Sequence, residues 1–79
     1  MKIRAKYFAL FREFADKEEE AFDFPENATV LTLMDEIISK YPRLKGERIF
    51  AAINNNLVNP SRTLHEGDNV AIFPVVGGG

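Results

Sequence analysis

The chain has no cysteine, no tryptophan and a single histidine among 79 residues. Without thiols there is no disulfide framework, no thiolate metal site and no cysteine nucleophile. One histidine, His65, leaves no His-rich metal site and no nucleophile signature to complete a triad. Long apolar runs are missing too: none approaches the roughly 20 residues needed to span a bilayer. The N-terminus also lacks the apolar stretch of a secretion signal. The expectation is a soluble, cytoplasmic protein with no membrane partner. Charge of one sign is not in excess, since ten Lys and Arg face twelve Asp and Glu for a net charge of −2. Lys2, Arg4 and Lys6 alternate on one strand face, but three edge charges read as a solvated surface. No basic stripe emerges, so no nucleic-acid partner is expected.

What is present suffices for one small domain. Hydrophobic residues make up 46% of the chain, seven of them Phe. A chain of this size buries only roughly 60–65% of its unfolded surface, which leaves a thin stability margin. Residues 2–8 alternate, with Ile3, Ala5 and Tyr7 on one side, and predict a half-buried strand. Ala9 to Ala15 reads as an irregular or briefly helical connection, and Asp16 to Glu20 as a solvated loop. A second strand is predicted over Ala21 to Phe24, with Phe22 and Phe24 on the same side. Pro25-Glu26-Asn27 marks a turn. Thr29 is placed to cap a helix whose Val30, Leu33, Met34, Ile37, Ile38 and Tyr41 recur at helical spacing. Pro42 ends that helix near Lys40 or Tyr41. Ile49 to Ile53, Leu57-Val58 and Val70 onward predict three more strands. Asn54-Asn55-Asn56, Asn59-Pro60-Ser61 and Leu64 to Asp68 supply the turns. The order β-β-α-β-β-β predicts an α+β fold of the β-grasp, or ubiquitin-like, type. It is a mixed sheet of about five strands with one main helix across it. No second long amphipathic helix remains for a ferredoxin-like split βαβ.

No catalytic constellation is visible. His65 precedes Glu66-Gly67-Asp68 and reads as a solvated turn residue. Asp35 and Glu36 are adjacent on a helix and point in different directions, so they are no acid–base pair. Ser61 and Thr63 have no base nearby in sequence, and no glycine loop opens a helix to cradle phosphate. Two features remain. The first is a set of apolar residues out of phase with the core: Phe8, Phe73 and Leu57. Gathered in a patch, such residues mark a partner surface. Alternatively the Ala9–Glu20 connection covers them, or Phe8 fills a core edge. The second is the C-terminal run Gly77-Gly78-Gly79, which has no side chain to pack and the least restricted backbone. Residues 1–75 are expected to form the domain and 76–79 a flexible tail. Extended residues from Val75 to Gly79 span about 17 Å at roughly 3.3–3.6 Å each. Such a tail can thread a carboxylate into another protein's site; equally, Gly-rich ends are ordinarily frayed.

Tyr7-Phe8-Ala9-Leu10-Phe11-Arg12-Glu13, Ala51-Ala52-Ile53-Asn54 with Leu57-Val58, Leu64-His65-Glu66-Gly67-Asp68 and Phe73-Pro74-Val75-Val76-Gly77-Gly78-Gly79 are each weak as motifs. In this order, over essentially the whole chain, they resemble the small, sulfur-carrying subunit of molybdopterin synthase (MoaD), within the ThiS-type ubiquitin-like sulfur carriers. The family pattern has a second Pro where this chain has Val75, and a variable residue at Gly77. The resemblance implies that the Gly79 carboxylate is adenylated and then converted to a thiocarboxylate that donates dithiolene sulfur, with Gly78 and Gly77 keeping the approach narrow. Lacking Cys, the chain could not carry the sulfur as a persulfide of its own. The resemblance also implies that Phe8, Leu57 and Phe73, with the root Pro74, Val75, Val76 and Gly77, dock two partners in turn. One is a ubiquitin-activating-type (MoeB-like) adenylyltransferase, which would use the ATP. The other is the large (MoaE-like) synthase subunit, in a two-plus-two heterotetramer. No metal or cofactor bound by this chain is implied. Relatives in the same group include the thiamine-pathway carrier and ubiquitin-like protein modifiers.

Overall fold

Lys2–Tyr7 forms the first strand, β1, and its alternation is resolved as expected: Ile3, Ala5 and Tyr7 are buried while Lys2, Arg4 and Lys6 face solvent. The computed structural model describes residues 1–74. The expectations placed on Val75 to Gly79, including the tail boundary, therefore lie outside the described residues. After β1 the chain turns at Ala9, whose φ of 54° and ψ of −131° are sparsely populated for a residue with a Cβ. It then enters a short helix, α1, at Leu10–Ala15. The connection is thus helical, and it inserts Phe11 and Ala15 into the core.

The second strand, β2, runs Glu19–Asp23 rather than Ala21 to Phe24. It starts earlier because Glu19 and Glu20 pair with Lys6 and Ala5 in an antiparallel ladder. Phe22 and Phe24 do share a side, with nearly parallel rings 5.8 Å apart. Glu20 corrects the expectation of a solvated loop, because its side chain is only 8% exposed. Tyr7 and Tyr41 donate their hydroxyls to its Oε1 at 3.0 and 2.7 Å. Lys40 Nζ pairs with its Oε2, and Lys17 lies 3.8 Å away. Burying a carboxylate is tolerable when its lone pairs are met by this many donors.

The main helix, α2, spans Val30–Lys40, with Val30, Leu33, Met34 and Ile37 buried. Its cap is reciprocal: Thr32 N–H donates to Thr29 Oγ1, and Thr29 N–H donates to Thr32 Oγ1. Two further N–H groups of the first turn, on Val30 and Leu31, reach the carbonyls of Arg62 and Pro60. The helix stops at Tyr41, and Pro42–Leu44 adds a 3-10 turn that buries Leu44.

Three strands follow: β3 Ile49–Ile53, β4 Asn56–Leu57 and β5 Asn69–Pro74. β4 begins one residue before the expected position, because Asn54 and Asn55 alone make the tight turn, both at positive φ. Asn tolerates that conformation better than other non-glycine residues. The five strands form one sheet in the order β2-β1-β5-β3-β4. β5 lies in the middle, parallel to β1 and antiparallel to β3, so the sheet is mixed. α2, α1 and Leu64 cover one face, where Ile3, Ala5, Tyr7, Ala51, Ile53, Val70 and Ile72 meet them in a single core. Among the described residues no helix covers the other face.

Candidate functional site: the uncovered sheet face

The uncovered face follows from strand parity. In β5, Val70 and Ile72 are buried, which turns Ala71 and Phe73 to the other side. In β3, Ala51 and Ile53 point inward and Phe50 and Ala52 outward. Phe8 follows Tyr7 and is 41% exposed. Its N–H donates to the Ile72 carbonyl at 3.2 Å, extending the parallel β1–β5 ladder so that Phe8 falls beside Phe73. Phe73 in turn faces Phe50 across the β5–β3 ladder, with ring centroids 6.1 Å apart and a 46° tilt. Phe8, just past the end of β1, Phe73 of β5 and Phe50 of β3 therefore form one row. The adjacent row runs Lys6, Ala71, Ala52 and Leu57, by the registers of β1–β5, β5–β3 and β3–β4. Leu57 is 69% exposed, the most of the large apolar side chains among the described residues.

Phe8, Leu57 and Phe73 are thus brought onto one face as expected. Of the alternatives, the Ala9–Glu20 connection does not cover them, because α1 packs on the core side through Phe11 and Ala15. Pro74 pairs with Ile49 and is half-buried at the last described position of β5. Phe50 is the member that the sequence reading missed. Alternation in Ile49–Ile53 is the signal that finds it: with Ala51 and Ile53 inward, Phe50 must face out.

The face offers contact surface rather than reaction chemistry. Among the described residues no group of three His, Asp or Glu side chains is placed to hold a metal. His65 is exposed in its turn, as expected. The Tyr7 phenol is pushed far above its ordinary value, first by burial and then by the neighbouring Tyr41, so it stays protonated and serves as a donor. Among the described residues no helix is long and apolar enough to cross a membrane.

Sequence and structure comparisons agree on the relatives. The family model described as "ThiS family" matches residues 5–79. The molybdopterin synthase sulfur carrier subunit of Escherichia coli K12 is 37% identical, with 98% of this chain and 99% of that protein covered. Among solved structures, a molybdopterin converting factor subunit 1 from Pyrococcus furiosus superimposes with a TM-score of 0.88 at 34% identity. That match covers 96% of this chain and 99% of the other. Small archaeal modifier protein 1 of Haloferax volcanii superimposes with a TM-score of 0.82 at 26% identity, covering 95% and 98%.

Proposed function

The chain belongs to the ThiS family of ubiquitin-like β-grasp proteins, and from that premise we propose that it is the sulfur-carrying small subunit of molybdopterin synthase. The observation that carries the reading is end-to-end identity of 37% with a sulfur carrier subunit of that synthase. The family match runs through Gly79, so the terminal glycines fall within the family's pattern.

A carboxylate is a poor electrophile, because its charge is delocalised and its oxygen is a bad leaving group. In the proposed cycle the Gly79 carboxylate attacks the α-phosphate of ATP in a ubiquitin-activating-type partner, and pyrophosphate leaves. Hydrosulfide released by a sulfur donor then adds to the acyl-adenylate carbonyl, a C–S bond replaces the C–O bond to phosphate, and AMP leaves, giving a thiocarboxylate. Both steps require the partner to surround the carbonyl closely, and a Cβ on Gly78 or Gly79 would crowd that approach. Tethered in the large subunit, the thiocarboxylate becomes a sulfur nucleophile of high effective concentration. The chain's own contribution is docking, through Phe8, Phe50, Phe73 and Leu57, and delivery. Metal and nucleotide chemistry belong to its partners, and the proposed setting is the cytoplasm.

A second reading, a ubiquitin-like modifier joined through Gly79 to lysines of target proteins, is favoured by the likeness to the archaeal modifier. Intact mass spectrometry after incubation with the activating enzyme, ATP and a sulfur donor separates the two. The carrier reading expects a gain equal to one sulfur-for-oxygen exchange, confined to the C-terminal peptide. A ladder of protein adducts would replace it with the modifier reading, and an unchanged mass with an active enzyme would sink both.

A further inference from the structure

The exposed sheet face carries three cations along β1, and two of them are matched locally. Lys2 pairs with Asp23 at 3.5 Å and Arg4 with Glu19 at 2.6 Å. Lys6 stands directly opposite Glu19 in the β1–β2 register. Arg4 nevertheless occupies that carboxylate, and Glu18 is turned towards Arg12 at 3.7 Å. Lys6 forms no ion pair among the described residues. It is exposed and lies in the row next to the three phenylalanines.

The surface dips beside it. Ala71 and Ala52 follow Lys6 across the sheet, and their small side chains form the floor of a depression of about 290 Å³. Phe8 bounds one side, and Asn54, Asn55 and Asn69 line the rest. An apolar floor, one unmatched ammonium group and a lining of asparagines, whose carboxamides can donate, suit a side chain with a short aliphatic stem and a single anionic head. A wholly apolar partner would cover the ammonium without compensation, which is costly. A polyanion would meet Glu18 and Glu19 beside the same site.

We propose that this depression receives a glutamate of the protein that docks on the sheet face, its methylenes on Ala71 and Ala52 and its carboxylate against Lys6 Nζ. The inference rests on the reading that this face docks the large synthase subunit, and it adds the charge that the partner must bring. Lys6 is then a filter on partner choice as well as an attractive contact, since surfaces lacking an acid at that point are disfavoured.

Isothermal titration of the full chain against the purified large synthase subunit of the same organism, at low and high salt, tests it. Close interfacial charge pairs are coupled strongly enough that Lys6→Ala is expected to weaken binding about tenfold at low salt, and Lys6→Glu about a hundredfold. Both losses shrink at high salt, Lys6→Arg binds like the wild type, and thermal midpoints are unchanged. If Lys6→Glu binds as tightly as the wild type while Phe73→Asp loses binding, the acid socket is wrong and the docking face stands. If Phe73→Asp also binds normally, the docking face falls and the socket with it. A Lys6→Ala loss that is equal at both salts overturns the ionic role.

Discussion

Phe73 and Ile72 are adjacent in the chain, yet Ile72 is fully buried and Phe73 lies on the uncovered face. Phe73→Asp should therefore abolish detectable binding of the large subunit while lowering stability by only about 1 kcal/mol, the scale of a lost aromatic pair. Denaturant unfolding alongside the binding assay checks this; a collapse of the fold would mean that Phe73 serves the core. Tyr7 shows the opposite case, a polar group doing structural work. Its raised value means that folding favours the neutral phenol. The stability it contributes is complete below the ordinary tyrosine value of 10.0 and is lost as pH rises beyond it. Tyr7→Phe should cost about 1 kcal/mol at neutral pH through the lost hydrogen bond to Glu20. Above pH 10 that gap should close, because Phe has no proton to lose. Urea midpoints on both sides of that value decide it; a constant gap would sink the argument. Parity made Phe8, Phe73 and Leu57 legible in the sequence. Glu20 was not legible, because a run of charges reads as solvated until Tyr41, 21 residues away, is known to donate to it.

Among the elements, α2 was readable almost to the residue, because cap chemistry and helical period point the same way. Its cap also gives a sharp expectation. Thr29→Ala removes the acceptor for Thr32 N–H and should cost about 1 kcal/mol, whereas Thr29→Ser should retain most of the stability. The loss is bounded because Arg62 and Pro60 carbonyls continue to hold the Val30 and Leu31 N–H groups. Chemical denaturation of both variants measures it, and equal loss in Ser and Ala would show that the hydroxyl is not the cause. Strands were less legible at their ends. β2 starts at Glu19 because a ladder partner, and not hydrophobic content, sets its beginning. β4 shifts to Asn56 because the two-residue turn closes one position early. The 3-10 turn at Pro42–Leu44 and the helical form of α1 depend on burying Leu44 and Phe11, contacts that sequence spacing alone does not reveal.

At the scale of the molecule, the fold class was readable from the order of elements and the length of a single amphipathic helix. The entry of β5 between β1 and β3 was not, because those contacts are long-range. The division between a helix-covered face and an open one also separates the core from the proposed docking surface. The last buried residue among those described is Ile72. Deleting Gly79 should therefore abolish sulfur loading in the mass assay and leave the thermal transition almost untouched. A large fall in melting temperature would show instead that the tail is structural. The position of β5 has its own consequence. Without it, β1–β2 and β3–β4 are two hairpins with no shared ladder, and isolated hairpins are marginal in water. A molecule cut short upstream of Asn69 could not assemble and would be left to proteases. Placing the last described strand between the two hairpins thus makes assembly of the whole sheet wait for the residues that come latest in the described chain.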